Sequence, residues 1–266
     1  MPTVREKLSN MFSKIMAGTI TREEGTFLIN DLAKENFAES IKDLAYLIDN
    51  PPSGVFPKTI LHTIALSRNK GFNNLMISSL EHKNEGVSIL AASELGRLRT
   101  EEAKHVLVDH LNSEVYHVRQ ASAAAITEFP DGFEMLKKHI LTHKEPFYRG
   151  TSAQALLKAG KKGMEALLSV LISGNSGAIA TVAAVIIKSA SSIEAADVPK
   201  IFDALMLAGD KKDTASIIEL LKLAAVLKGK AKEFEQYVRA FADHPYELIR
   251  KEAKNTLIQI TSGKRG

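Results

Sequence analysis

The chain has 266 residues, 45% of them apolar and 25% charged, with no cysteine, no tryptophan and a formal net charge of +4. That balance sustains a buried core, and the missing cysteines exclude a disulfide framework and any Cys-bearing metal site. The N-terminal MPTVREKLSNMFSKIM is amphipathic and charged, unlike the apolar core of a secretory signal, so a reducing, cytoplasmic setting is expected.

Residues 1–50 read as an N-terminal cap of three helices. In TITREEGTFLINDL, Thr21 is followed three residues later by Glu24, the pattern of a capping box. The stretch ESIKDLAYLIDNPP ends at a double proline, which stops its helix.

From residue 51 the chain becomes periodic. VRQASAAAITEF starts at Val118, and VSILAASELGRL starts 31 residues earlier at Val87. YRGTSAQALLKA starts at Tyr148 and AIATVAAVIIKS at Ala178, each a further 30 residues on. FPKTILHTIALS starts at Phe56. IRKEAKNTLIQI starts at Ile249, 71 residues beyond Ala178, which leaves space for one degenerate unit around DTASIIELLKLAAVL.

Within each register the fifth, eighth, ninth and twelfth positions are mostly small or apolar. At Val118 these are Ser122, Ala125, Ile126 and Phe129; at Val87 they are Ala91, Glu94, Leu95 and Leu98. Spacings of three, four and seven place such residues on one face of an α-helix. Another helix precedes each register, in GFNNLMISSLE, EEAKHVLVDHL, GFEMLKKHIL and GMEALLSVLI. No run alternates with period two, so no sheet is predicted. The unit is helix, turn, helix, and it cannot bury both its faces alone, so units must stack. The second helix of each pair is predicted near residues 55–67, 86–98, 115–129, 147–159, 177–190 and 246–261.

These units resemble the HEAT-like repeat family, in the short version found in bacterial proteins, over about residues 55–260. The resemblance is carried by VRQASAAAITEF and VSILAASELGRL, with Arg119, Arg149 and Arg250 in the position after the origin. It implies an all-α fold, an α-solenoid of stacked antiparallel helix pairs behind the N-terminal cap, with the second helices lining a concave groove. The organisation expected is a cap at 1–50, a repeat solenoid at 51–262 and a disordered tail at 263–266. Such a fold does not by itself specify a function.

The stretch SGAIATVAAVIIKSA carries Lys188 as its single charge. A membrane span needs about 20 continuous apolar residues, and SGNSG breaks the run, so no membrane insertion is expected. Either neighbouring units bury this helix on all sides, or part of it is a docking surface. The third, fourth, seventh and eleventh positions of a register point away from its core positions. They give Ile89, Leu90, Ser93 and Arg97 at Val87, and Gln120, Ala121, Ala124 and Glu128 at Val118. At Tyr148 they give Gly150, Thr151, Gln154 and Lys158, and at Ala178 they give Ala180, Thr181, Ala184 and Lys188. Small uncharged residues form the floor, and Arg97, Glu128, Lys158 and Lys188 form a charged margin. The expected partner-binding residues are Arg97, Gln120, Ala124, Glu128, Thr151, Gln154, Lys158, Thr181, Ala184 and Lys188, a surface suited to an amphipathic helix or peptide of another protein.

Several residues could instead carry chemistry. His82, His143 and His244 each stand five residues before a register origin, where Ser113 stands in another unit. A row of histidines with nearby carboxylates could bind metal or act as bases, but the position suits any polar turn residue. Arg119, Arg149 and Arg250 could hold phosphate, although their repeat-locked position suggests a ladder of hydrogen bonds between stacked units. His139 and His143 stand four apart, as do His105 and Asp109, and neither pair belongs to an HExxH zinc signature. The dipeptide His-Glu is absent, which counts against the HEAT-like metal hydroxylases. Absent tryptophan counts against the HEAT-like DNA alkylbase glycosylases. No phosphate loop and no GxSxG motif occur. No catalytic residue, metal site or cofactor is therefore expected. The function expected is a non-enzymatic protein-interaction scaffold. The alternative is nucleic-acid binding by the basic C-terminal third, where residues 161–266 hold 16 Lys and Arg against 12 Asp and Glu.

Overall fold

A computed structural model describes residues 2–173 and 175–262. All regular structure among these residues is helical. The chain divides into two compact units, Met1–Phe129 and Pro130–Gly266. The expected tail at 263–266 lies outside the described residues.

The first unit opens with α1 (Val4–Met16), α2 (Arg22–Glu35) and α3 (Phe37–Asp49). The capping box at Thr21 and Glu24 forms as read. A second one, which the sequence reading missed, joins Thr3 to Glu6 and starts α1. Helices α1 to α3 pack on one another and on α4 (Pro57–Leu66). Then follow α5 (Asn73–Ser78), α6 (Glu85–Leu98), α7 (Glu101–Asp109) and α8 (Tyr116–Ile126). The helix expected from GFNNLMISSLE is a single α-turn segment flanked by 3-10 turns at Lys70–Phe72 and Ser79–Glu81.

The second unit holds α9 (Gly132–Thr142), α10 (Pro146–Lys158), α11 (Lys161–Leu171) and α12 (Ser176–Ile186). After these come α13 (Val198–Asp210), α14 (Thr214–Leu227), α15 (Glu235–Arg239) and α16 (Glu247–Ser262). The degenerate unit is thus a well-formed pair, α13 and α14. One boundary of the expected second helices differs by more than three residues. The helix expected to reach residue 190 leaves α geometry after Ile186 and continues as a 3-10 segment, Ile187–Ser192, kinked at Ser189 with φ −134°.

In both units consecutive helices pair, and the second helices stack on those two elements away: α4 on α6 and α6 on α8, then α10 on α12, α12 on α14 and α14 on α16. The core lies between these layers. Leu95, Ile126, Leu156, Val182, Leu220 and Ile260 are all at most 2% exposed. Small residues permit the closest approaches. A Cβ built on Gly163 would stand 1.8 Å from the Leu156 carbonyl oxygen, so α11 reaches α10 only because residue 163 is glycine.

Candidate functional site

The turn inside each pair explains the recurrent histidines. His143 Nδ1 accepts the backbone N–H of Glu145 at 3.1 Å, and His244 Nδ1 accepts that of Tyr246 at 3.1 Å. His82 Nδ1 accepts from Asn84 at 2.9 Å while its Nε2 bonds Asp49 at 2.7 Å. The Ser113 hydroxyl takes the Val115 N–H at 3.2 Å and the Ser173 hydroxyl takes that of Asn175 at 3.3 Å. The position therefore recruits any short-range acceptor for the N–H two residues on, as an Asx or Ser turn does. Each Nδ1 is committed to this bond. Among the described residues no group of three or more His, Cys, Asp or Glu side chains could hold a metal ion.

The arginines that follow the origins brace the same turns. Arg119 Nη1 donates to the Ser113 carbonyl at 2.5 Å, Arg149 Nη1 to the His143 carbonyl at 3.4 Å, and Arg250 Nη1 to the His244 carbonyl at 2.8 Å. The expected ladder between stacked units is corrected: each of these bonds returns to the turn of its own unit, six residues upstream. Burial agrees, because Arg119 is fully buried and Arg149 is 8% exposed.

The outward positions of the second helices differ in exposure, and two of them are buried. In the first unit Ser93, Arg97, Ala124 and Glu128 are exposed and Gln120 is half-buried. In the second unit Lys158, Ala184 and Lys188 are exposed, and Gln154 and Thr181 are half-buried. Thr151, expected on this face, is buried at 4% exposure, and so is Ala121 at 7%. In these two registers the fourth position is buried, whereas Leu90 and Thr181 at the same position are half-buried, and the Thr151 hydroxyl donates to the Phe147 carbonyl at 3.4 Å.

The helix of SGAIATVAAVIIKSA is buried on most of its sides and exposed on one. Ala178, Ile179, Val182, Ala183, Val185 and Ile186 are buried, while Ala184 and Lys188 face solvent. Packing between α10 and α14 covers α12 on most of its circumference, which removes the need for a charged face. The two margins differ. Glu128 pairs with Arg99 at 3.5 Å, whereas Lys158 and Lys188 make no ion pair among the described residues.

Sequence reasoning missed a polar cluster in the first unit. Glu94 occupies the eighth register position yet is 6% exposed. Its Oε1 lies 2.9 Å from His62 Nδ1, and Arg97 Nη1 reaches both carboxylate oxygens at 3.4 and 3.5 Å. Arg97 Nη1 is also 3.3 Å from His62 Nδ1. The cluster borders a cavity of about 730 Å³ where the C-terminal ends of α4 and α6 meet α5 and α7. Its legible signal was a carboxylate where other registers carry Ala125, Ala155 or Val185. His62 was not legible, because it comes from the preceding unit.

Stacked helix pairs with an exposed row on their second helices define a helical-repeat scaffold. The HEAT repeats family model matches residues 41–127, beginning inside α3, and this stretch is a run of HEAT-like repeats. No curated protein matches the chain. Among solved structures, human deoxyhypusine hydroxylase in complex with glycerol is 15% identical, with 98% of each chain covered and a TM-score of 0.39. An engineered protein is 19% identical over 71% of this chain and 96% of its own, with a TM-score of 0.37. A designed armadillo repeat protein is 15% identical over 70% of this chain and 98% of its own, with a TM-score of 0.34.

Proposed function

We propose that this chain is a non-enzymatic protein-interaction scaffold, and that it docks a peptide or amphipathic helix along the outward row of its second helices. The observation that carries this reading is the pattern at Ala184 and Lys188. A small exposed side chain lets a partner backbone approach closely, and a lysine without an internal partner one turn on is free to meet a carboxylate. In the first unit Ala124 is exposed at the equivalent register position. A protein of this kind needs no cofactor, and a reducing cytoplasm suits its cysteine-free sequence. No described helix is long and apolar enough to cross a membrane.

The test places a photo-cross-linking residue at position 184 and, as a control, at position 172, another exposed site. The cross-linked segment is identified and synthesised, and its affinity is measured against the wild type and Ala184→Arg. The expected outcome is site-dependent cross-linking and a loss of binding in Ala184→Arg, with thermal unfolding unchanged. A folded Ala184→Arg variant that binds at full strength removes this face as the docking site.

A further inference from the structure

The cavity of about 730 Å³ in the first unit is large enough for a small ligand. Its polar lining is unequal in what it leaves open. The carboxylates are engaged: Glu94 by His62 and Arg97, Glu101 by Lys104 at 2.9 Å, and Glu102 by the Asn73 amide at 2.5 Å. Two of the cations are not. Arg68 and Lys70 line the cavity, are exposed, and have no side-chain hydrogen bond or ion pair among the described residues. Arg97 uses Nη1 on the Glu94 carboxylate, to which His62 Nδ1–H also donates, and keeps Nε and Nη2 open. Beside them Leu66, 38% exposed, and Leu98 supply an apolar wall.

Glu94 gives a second, independent reason to regard this as a built site. Other registers fill its position with Ala125, Ala155 or Val185, all buried, so the stack does not require a charge there. Burying a carboxylate is costly unless it is paired. Here the contacts at 3.4 and 3.5 Å draw the Arg97 side chain toward the rim of the cavity. A guanidinium with two open donors on adjacent nitrogens matches a carboxylate bidentately.

We propose that this cavity binds a small organic acid, its carboxylate on Arg97 with support from Lys70 and Arg68, and its apolar body against Leu66 and Leu98. Arg97 also belongs to the outward row, but Ala184 and Lys188 do not line this cavity, so the acid titration and the Ala184→Arg test fail separately. A free acid and a peptide C-terminus share the required chemistry, and the probes separate them.

The experiment titrates the full chain with sodium octanoate, with 1-octanol, and with a blocked tetrapeptide ending in leucine as free acid and as amide. Binding is followed by calorimetry and by NMR shifts. The expected result is saturable binding of octanoate or of the free-acid peptide, with the stronger of the two naming the source. Octanol and the amide should bind at least about tenfold more weakly, as expected for loss of a charge-assisted hydrogen bond. Arg97→Gln and, separately, Lys70→Gln should weaken the acid and leave far-UV circular dichroism unchanged. Both side chains are exposed, and in Arg97→Gln the buried Glu94 keeps its closer partner His62 at 2.9 Å. Absence of saturable binding by either acid, equal binding of the neutral probes, or undiminished affinity in both folded variants would overturn the proposal.

Discussion

His139 shows how position within a repeat sets the behaviour of a single group. Its Nδ1 lies 2.9 Å from the Ser152 hydroxyl, and its ring centroid is 5.1 Å from that of His143. Burial, and then the neighbouring His143, pull its pKa down from 6.5 to about 4. Below pH 6.5 the unfolded chain therefore binds a proton that the folded one refuses. This contribution to stability is fully present above pH 6.5 and is lost progressively as pH falls toward 4. Partial exposure of the ring discounts the effect to about 1–2 kcal/mol. His139→Gln should flatten the wild-type fall in denaturant midpoint between pH 6.5 and 4; an unchanged slope would assign that fall to other groups. Gly163 is the steric counterpart. Because its missing Cβ would meet the Leu156 carbonyl, Gly163→Ala should destabilise by about 1–3 kcal/mol, read as a lower urea midpoint at constant m-value.

The turn within each pair is the element whose chemistry repeats most faithfully. His82, Ser113, His143, Ser173 and His244 all cap the N–H two residues on, and Arg119, Arg149 and Arg250 tie down the carbonyl of the same turn residue. His143→Ser should be nearly neutral, since serine does this work at 113 and 173. His143→Ala should cost about 1 kcal/mol, the scale of a lost side-chain cap. Equal melting temperatures for the two variants would show that the bond contributes nothing. The sequence contained half of this element. Polar residues recurring five positions before an origin implied a turn. The direction of the arginine bond was not legible, because inter-unit and intra-unit carbonyls are equally accessible to a long side chain until the backbone path is known. Helix periodicity likewise located Ala184 and Lys188 on an outward face but misplaced Thr151, since the fourth position lies at the edge of the buried arc, where the neighbouring helix decides.

Charge is distributed unevenly over the molecule. Met1–Phe129 carries 14 Lys and Arg against 16 Asp and Glu, whereas Pro130–Gly266 carries 21 against 15. That excess motivates the nucleic-acid alternative, yet it is only six charges, and Lys161, Lys200 and Lys222 already pair with Glu194, Asp197 and Glu219. Duplex DNA should therefore bind weakly at about 0.15 M salt, and what binding exists at low salt should fall steeply as salt rises. Submicromolar affinity at 0.15 M, measured by fluorescence anisotropy, would place nucleic acid ahead of a protein partner. The sequence by itself determined the helical class, the spacing near thirty residues and, apart from the fourth register position, the buried face of the second helices. These follow from local periodicity, and a repeated unit meets the same neighbours each time. Only the tertiary structure decided that α12 needs no polar face, that Arg119 is fully buried, and that His62, Glu94 and Arg97 converge on one cavity. Those outcomes depend on how side chains from different helices meet across a stack, and helix periodicity carries no information about such distances.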